Sequence, residues 1–464
     1  MKLELLLEEL IDIAQKPKTD FALSLNMTPS GLSKILTGKR VPVLKERKAF
    51  TKQTADYFAE AIYSPKCYLK FEKIFPIIYD FESQNDLQQF LVCAIEYALD
   101  DAYVEGNHLR IEYADRAMYY LGRKPVLNQL CVLLSDYTLK GNGALSEWFG
   151  CLPFRDPSYA KIFQKVILQG RKLMSDAVFN FYFDETLFDS GIGGTHFLTL
   201  IATLQEHIAL NFWQTPKDIG QSFILLKGQM LLLFSTQIDG TPILTPIFNK
   251  TYLAIFYNLL VKKEAKKISY SKKEILEVLE NNPDGISAFI NREIDSVYNF
   301  ISIGYLLQKN ELAAAQCNDM MADLVWGLLQ NILVSNNTIF HVSYAAMERF
   351  VTLGKAIVPL VGAIPFAPKE RVPYLSRFGA YLQAGASHDK VKIINSELNN
   401  IALFCCTNLN IVYTVDDSFQ KEWFHFFNTD KIGAALREEK KLETMDFSAD
   451  IWEAYQNTLN SKFA

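Results

Sequence analysis

The chain has 464 residues, of which 49% are hydrophobic and 13% aromatic, and its formal net charge is −5. This composition excludes an intrinsically disordered chain, and the length predicts about three domains. No apolar run reaches the roughly 18 residues that a transmembrane helix requires, and the acidic start MKLELLLEEL does not look like a signal peptide. We therefore expect a cytoplasmic protein that does not contact a membrane.

The first predicted element is an amphipathic helix over Leu3–Ala14, because its apolar residues recur at helical spacing. Two short helices joined by a tight turn are predicted for residues 20–42, which read DFALSLNMTPSGLSKILTGKRVP. In the turn we expect Asn26 to have a positive φ, which Asn tolerates better than most residues. Ala22 is small where the two helices would cross closely. The pattern predicts a helix-turn-helix motif.

The second helix of this motif carries the candidate DNA contacts. Thr28 is a good N-cap, Pro29 suits the first helical position, and Gly38 would end the helix. Its apolar face consists of Leu32, Ile35 and Leu36. In helix-turn-helix proteins the second helix enters the major groove by its N-terminal end. We expect Pro29, Ser30, Gly31, Ser33 and Lys34 on its outer face, with Ser30, Gly31, Ser33 and Lys34 at base edges and Thr28, Lys39 and Arg40 at phosphates.

The stretch FALSLNMTPSGLSKILTGKRVP resembles the Cro/CI-like, or XRE, family of bacterial transcriptional regulators. The shared pattern is a small residue, a turn, a Ser/Thr cap, an apolar pair and a Gly-Lys-Arg-x-Pro exit. Asn26 departs from the family, which usually has Gly there, but Asn can hold the same backbone. The resemblance covers about the first 75 residues. It implies a dimer in which each copy reads one half-site of a double-stranded DNA operator.

The charge distribution supports this interpretation of residues 31–52. Seven basic residues lie in this stretch, and Glu46 is its only acidic residue. The basic residues are Lys34, Lys39, Arg40, Lys45, Arg47, Lys48 and Lys52. A basic patch within an acidic chain is typical of phosphate contact, although a solvated charged helix face would show the same composition.

Residues 76–270 are predicted to form a mostly helical domain. Helical faces are expected over residues 86–99 and 126–139, and a further helix over residues 158–179. Residues 222–248 are the best strand candidate, since two apolar runs flank Asp239-Gly240, a strong hairpin signal. Gly228 interrupts the first run and suggests a bulge.

Two stretches of this domain have a second interpretation. The glycine-rich sequence FDSGIGGTHF, residues 188–197, leads into a predicted helix and has the outline of an anion-binding helix N-terminus. Sequences of this kind more often form a loop that binds no ligand. The basic stretch KKEAKKISYSKK, residues 262–273, is expected to be a solvated linker or a helix end, and a second nucleic-acid contact is the alternative.

Residues 271–464 are predicted to be helical with a small α/β unit, and to sense an effector or to dimerise. We expect helices at 272–280, 418–427, 431–439 and 449–459, and strands at 401–405 and 409–415. A core helix face is expected at Leu324, Leu328 and Ile332. Three prolines prevent residues 356–368 from forming one helix, so this stretch would line a pocket or link domains.

No pattern in the sequence indicates catalysis or a metal site. The six His and seven Cys show no H-E-x-x-H, no C-x-x-C and no Cys/His spacing of a metal centre, and G-x-S-x-G is absent. The vicinal pair Cys405-Cys406 is compatible with a redox switch, but buried structural thiols are more common. We predict no cofactor and no enzymatic activity.

The sequence therefore predicts a mainly α protein: an N-terminal helix-turn-helix bundle, then a large, mostly helical body with a minor β-hairpin and small α/β elements. The expected function is sequence-specific transcriptional regulation by residues 1–75, with an unknown effector, a small molecule or a peptide, bound by the body. Two alternatives remain open: an enzyme that carries a helix-turn-helix head, and an interaction scaffold in which the motif contacts protein.

Overall fold

The structure is a computed structural model, and it divides into two compact units. The first unit comprises residues 1–181, 207–209 and 219–264, and the second comprises residues 182–206, 210–218 and 265–464. The structure describes residues 1–63, 67, 70–105, 119–140, 147–151, 178–183, 188, 193–207, 209–215, 221–262, 264–281, 292–302, 304–313, 319–335, 337–386, 390–439, 442, 444–445, 452–454, 457 and 461.

The first unit begins with a helical bundle. Its helices are α1 (Leu3–Ala14), α2 (Lys18–Ser24), α3 (Pro29–Leu36) and α4 (Arg47–Ile62), with a single 3₁₀ turn at Leu44–Glu46 before α4. Helix α1 has the bounds expected from the sequence, and its apolar face is buried. The core of the bundle includes aromatic rings that pack at a tilt: the centroids of Phe21 and Phe58 are 4.7 Å apart.

Two long helices follow the bundle. Helix α5 (Gln84–Glu105) packs against α1, α4 and α6 (Arg123–Lys140), and the short strand β1 (Tyr120–Leu121) precedes α6. The helices expected at residues 86–99 and 126–139 are confirmed, and both extend further than the apolar stripe indicated. Phe90 anchors this layer, with its ring centroid 4.9 Å from that of Phe75.

The first unit also contains a β-sheet, and one helix follows the last strand of this sheet in the sequence. Its strands lie in the order β1, β7, β6, β5, β2, β3, and all neighbours are antiparallel except β2 and β3. The elements are β2 (Glu147–Cys151), β3 (Val178–Phe183, of which residues 178–181 belong to this unit), β5 (Ser222–Leu226), β6 (Met230–Thr236), β7 (Pro242–Ile247) and the helix α8 (Lys250–Val261).

The stretch 222–248 forms three strands where one hairpin was predicted. The expected turn at Asp239-Gly240 joins β6 to β7, and Gly240 has a φ of +83°. Gly228, with a φ of +70°, lies in a second turn between β5 and β6, so the predicted bulge is wrong. An interrupted apolar run is compatible with either geometry, because Gly favours positive φ in tight turns and in bulges alike.

The second unit is built on an eight-stranded sheet in the order β18, β14, β11, β10, β15, β16, β17, β9. Strand β11 runs parallel to β10 and β14, and the remaining neighbours are antiparallel. The strands are β9 (Ser269–Ser271), β10 (Ser296–Asn299), β11 (Ile339–Ser343), β14 (Val391–Ile394), β15 (Ile401–Cys406), β16 (Leu409–Val415), β17 (Glu422–Phe427) and β18 (Thr444–Met445).

Helices and two short strand pairs complete this unit. The pairs are β4 (Ala209–Gln214) with β8 (Lys266–Lys267), and β12 (Lys355–Val358) with β13 (Gly362–Pro365). The helices are α7 (Gly194–His207), α9 (Lys272–Asn281), α10 (Lys309–Ala313), α11 (Asp319–Val334), α12 (Tyr344–Leu353), α13 (Pro368–Ala386) and α14 (Lys431–Glu438). The predicted core residues Leu324, Leu328 and Ile332 are buried in α11 and join the hydrophobic core with strands β10 and β11.

The prediction of a mainly α chain with minor β elements is therefore wrong. Both units contain a large sheet, and the helix expected at residues 418–427 is instead strand β17. The end of the helix expected at residues 158–179 is likewise the start of β3. These strands are buried almost throughout, so they lack the apolar–polar alternation that identifies a half-exposed strand. A short run of apolar residues is equally compatible with a buried helix.

Other expectations fall where the structure gives partial or no information. Most of the predicted helix 158–179 and most of the predicted helix 449–459 lie outside the described residues. Among the residues that are described, the structure contains no helix with the length and apolarity needed to cross a membrane.

Candidate nucleic-acid interface

The turn between α2 and α3 has the backbone that the sequence predicts. Asn26 has a φ of +52°, and the N–H of Met27 donates to the carbonyl of Ala22 at 2.9 Å. Ala22 and Phe21 are fully buried, which lets the two helices approach closely. A left-handed residue reverses the chain in few residues, so the turn fixes the angle between α2 and α3.

The ends of α3 are tied by local hydrogen bonds. The hydroxyl of Thr28 accepts from the N–H of Gly31 at 3.1 Å, and Pro29 occupies the first turn of the helix, as predicted. At the other end Gly38 has a φ of +68° and the N–H of Arg40 donates to the carbonyl of Lys34 at 3.1 Å. The exit segment is therefore held against the C-terminal end of α3.

Helix α3 has a buried inner face and an exposed outer face. Leu32, Ile35 and Leu36 are buried, as expected. The predicted contact residues Pro29, Ser30, Ser33 and Lys34 are exposed, Gly31 is half-buried, and Thr28, Lys39 and Arg40 are exposed beside them. The eight residues of α3 span about 12 Å, close to the width of the major groove of about 12 Å. The structure thus brings the predicted residues to one surface.

The charge of this surface is positive. Lys34, Lys39, Arg40 and Lys45 are exposed, and none of them forms an ion pair with a residue that the structure describes. Glu4 is an acidic neighbour, since its carboxylate oxygen would lie 3.4 Å from a Cβ added to Gly38. Unpaired cations release counterions when they meet phosphate, which favours binding to nucleic acid.

Arg47 does not belong to the basic patch, contrary to the sequence prediction. Its guanidinium forms an ion pair of 2.7 Å with Asp100 of α5, and both side chains are mostly buried. The sequence did not reveal this, because the two residues are distant in the chain and Arg47 lies among exposed cations. The patch that remains exposed is smaller and is centred on the C-terminal end of α3.

The second anion-binding candidate is the glycine-rich stretch before α7. Here a carboxylate of the protein lies where an anion would bind. The N–H of Thr195 donates to a carboxylate oxygen of Glu439 at 2.9 Å. A Cβ added to Gly193 would lie 2.5 Å from the same oxygen, so glycine allows this close approach. A carboxylate at a helix N-terminus is favourable, and here it takes the place of an external anion.

The basic stretch 262–273 is part of the fold. Lys262 follows the end of α8, which agrees with the expected helix end, but β8 and β9 lie further along the stretch, so the expectation of a solvated linker is wrong. Lys267 pairs with Glu274 at 2.6 Å, and Lys272 pairs with Glu422 at 2.8 Å. Two of its cations therefore have internal partners, which weakens the alternative of a second nucleic-acid contact.

Burial shifts the pKa values of several titratable side chains in the second unit. Burial raises the pKa values of Cys405 and Cys406 to about 11, so both thiols stay protonated near neutral pH. Burial lowers the pKa of His425 to about 3 and that of His341 to about 4. Across the described ranges no group of His, Cys, Asp or Glu is arranged to hold a metal ion.

Comparisons with known proteins give little further information. No protein-family model matches the chain, and no curated protein matches it. One solved structure that matches is TrmBL2, an archaeal chromatin protein described as showing a novel mode of DNA binding. It is 10% identical, the match covers 44% of this chain and 83% of that one, and the TM-score is 0.20. A TM-score of 0.20 is too low to indicate a shared fold.

Proposed function

We propose that the chain binds double-stranded DNA through α3 and regulates transcription in a sequence-specific manner. The observation that carries this proposal is the exposed outer face of a capped, eight-residue helix, with cations at its end that form no ion pair with any described residue. The inner face of the same helix is packed in the bundle, so its orientation is fixed before DNA arrives. A preformed element avoids the entropic cost of ordering on binding.

Each exposed residue has a role that follows from its position. Ser30, Ser33 and Lys34 would face base edges, with Gly31 allowing close approach of the backbone. Thr28 and the N–H of Ser30 would meet one phosphate, and Lys39 and Arg40 would meet others. Phosphate contacts position the helix, while base contacts select the sequence.

The remaining parts of the proposal concern assembly and control. Two copies would read two half-sites of one operator, and a body of this size would bind an effector that changes the arrangement of the DNA-binding bundles. The proposal places the chain in the cytoplasm and assigns it no catalytic reaction. The two copies are what the resemblance of residues 1–75 to XRE regulators implies, and the effector is proposed because the body exceeds what dimerisation alone needs.

The proposal is tested by selecting duplexes from a random pool with the purified full-length chain. We expect enrichment of a defined sequence. Ser30→Ala and Ser33→Ala should relax the preference at one or two base pairs, by about 1–3 kcal/mol per position, while keeping affinity for unrelated DNA. Ser24→Ala is a matched control, because the Ser24 hydroxyl donates to the carbonyl of Phe21 within α2 and should leave the preference unchanged.

Two results would count against this proposal. Enrichment of no sequence, with the protein folded, would favour an interaction scaffold in which α3 contacts another protein. Enrichment that Ser30→Ala and Ser33→Ala leave unchanged would show that a different face reads the bases.

A further inference from the structure

The second unit contains an open cavity of about 420 Å³. Its walls come from the start of α9, from the β12–β13 hairpin, from the loop 416–421 and from the start of β17. The stretch 356–368, with its three prolines, thus contributes to a pocket, one of the two roles considered from its sequence. The volume lies within the range of about 300–1,000 Å³ that is usual for small-molecule sites.

A buried carboxylate forms part of the cavity wall. Glu422 is almost completely buried, and its Oε1 accepts from Nζ of Lys272 at 2.8 Å. Its Oε2 accepts from the N–H of Leu360 at 2.8 Å and from the hydroxyl of Tyr413 at 3.0 Å. Both oxygens are therefore engaged, and the charge of Glu422 is balanced by Lys272. A ligand gains little by binding to this carboxylate.

A glycine keeps the ion pair of Glu422 and Lys272 accessible from the cavity. Gly362 has a φ of +104°, a conformation that residues with a side chain rarely adopt. A Cβ at this position would lie 3.6 Å from Oε1 of Glu422 and 3.8 Å from Nζ of Lys272. Any larger residue would therefore cover the pair, whereas glycine leaves the ammonium within reach of a bound molecule.

The second cation of the cavity is Lys355. Lys355 is exposed, and it forms no ion pair within the part of the chain that the structure describes. Its Nζ lies 5.5 Å from the ring centroid of Phe419. With Lys272, Lys355 and Glu422 as the charged lining residues, the cavity has a net charge of about +1. This charge favours an anion over a cation.

The aromatic side of the cavity is held in position by its own loop. Asp416 accepts from the N–H groups of Gln420 at 2.8 Å and Lys421 at 2.9 Å. Phe419 has a φ of +58° at the bend of this loop, and its N–H donates to the carbonyl of Asp416 at 2.9 Å. Pro365 also lines the cavity, and it is paired with Lys355 in the hairpin. The ring of Phe419 is thus preorganised beside a cation.

We propose that this cavity binds a small aromatic carboxylate. The carboxylate would pair with Lys355 and reach the ammonium of Lys272, while the flat ring would pack on Phe419 and Pro365. Charge-assisted hydrogen bonds fix the orientation, and the apolar contacts exclude poorly bonded water. The cavity is therefore a candidate effector site and adds detail to the proposed function. Its link to DNA binding rests on the proposed function, whereas binding of the carboxylate does not.

The probes are benzoate, benzamide and benzamidine, which share a ring and differ in charge. Binding to the full-length chain is measured by calorimetry or by ligand-observed NMR, without DNA. We expect saturable benzoate binding in the millimolar range and weaker binding of benzamide and benzamidine. Lys355→Gln should weaken benzoate binding about fivefold. Lys421→Gln is the matched control, since Lys421 is exposed, is the last residue of the loop and does not line the cavity.

The outcomes separate this proposal from the DNA-binding proposal. Equal or tighter binding of benzamidine, no saturable benzoate binding, or an unchanged affinity in Lys355→Gln would overturn it. Phe419→Leu should weaken benzoate more than inorganic phosphate, because only benzoate has a ring to stack, and an equal effect on both would contradict the aromatic contact. If the chain binds benzoate but does not bind DNA, the cavity proposal is supported and the role of the cavity in controlling DNA binding is rejected.

Discussion

Arg47 of α4 and Asp100 of α5 form an ion pair of 2.7 Å that joins the N-terminal bundle to the following helical layer. Close to it in the chain, the hydroxyl of Tyr103 donates to the carbonyl of Pro42 at 2.6 Å. The bundle is thus attached to α5 through α1, α4 and the segment after α3, which leaves the outer face of α3 exposed. The bundle is a fixed part of the first unit.

Replacing Arg47 by Met should destabilise the first unit. The substitution leaves Asp100 and Glu96 in a partly buried site without their guanidinium, and a buried charge that loses its partner is costly. We expect a decrease of about 1–3 kcal/mol in the free energy of unfolding near pH 7, measured by chemical denaturation. Lys52→Met serves as the control, because Lys52 is an exposed cation of the same helix.

The effect of Arg47→Met should depend on pH. Burial raises the pKa values of Asp100 and Glu96, while Arg47 lowers both. Without Arg47 the folded pKa values rise further, so the folded variant binds protons that the unfolded chain does not bind. Folding of the variant therefore gains stability as the pH falls from about 7 to about 5, and its deficit should shrink. A deficit that stays constant or grows would refute this assignment.

The N-cap hydrogen bond of α3 should contribute to the stability of the bundle. Thr28→Ala removes the acceptor of the Gly31 N–H and should cost about 1 kcal/mol of stability. Thr28→Ser keeps a hydroxyl at the same place and should cost much less. Thermal unfolding of the two variants measures the difference. Equal losses in both would show that the methyl group of Thr28, and not its hydroxyl, stabilises this end of the helix.

The bundle could be predicted from the sequence because its signals are local. The cap at Thr28, the turn at Asn26 and the bounds of α1 each depend on residues a few positions apart, and the structure confirms them. The ion pair of Arg47 could not be predicted in this way, since its partner lies in another helix. Local patterns therefore identified the candidate surface but overestimated its charge.

The strands expected at 401–405 and 409–415 are confirmed as β15 and β16, but much of the body could not be predicted, for two physical reasons. Strands such as β3 and β17 are buried almost throughout, so their apolar runs carry no period that separates a strand from a helix. The cavity of the second unit depends on Lys272, Lys355 and Glu422, which meet only through the fold. A charge pattern read along the chain assigned Lys272 to a basic stretch and gave no sign of its buried partner.

Two buried imidazoles predict acid sensitivity of the second unit. Nδ1 of His425 lies 2.9 Å from the hydroxyl of Ser269, and His341 stacks on Tyr298 with ring centroids 4.1 Å apart. Burial lowers the pKa values of His425 to about 3 and His341 to about 4, below the unfolded value of about 6.5. Between these values the unfolded chain binds more protons, so stability is present above pH 6.5 and is lost as the pH falls.

The measurement is the free energy of unfolding of the second unit between about pH 6.5 and pH 4.5. Each imidazole should contribute a slope of up to about 1.4 kcal/mol per pH unit. His425→Asn should remove the part due to His425, since Asn keeps a partner for Ser269 but does not titrate. A variant slope equal to that of the natural chain would show that His425 does not cause the acid sensitivity.

The most direct test of DNA binding through α3 is a salt titration of affinity for the selected duplex and for a scrambled duplex. The account predicts that log K falls linearly with log salt, and that Lys39→Ala and Arg40→Ala each flatten the slope by about 0.9 on both duplexes. Lys250→Ala, at an exposed lysine of the same unit, should leave the slope unchanged. Binding with an unaltered slope in Lys39→Ala and Arg40→Ala, or the absence of binding at low salt, would contradict the account.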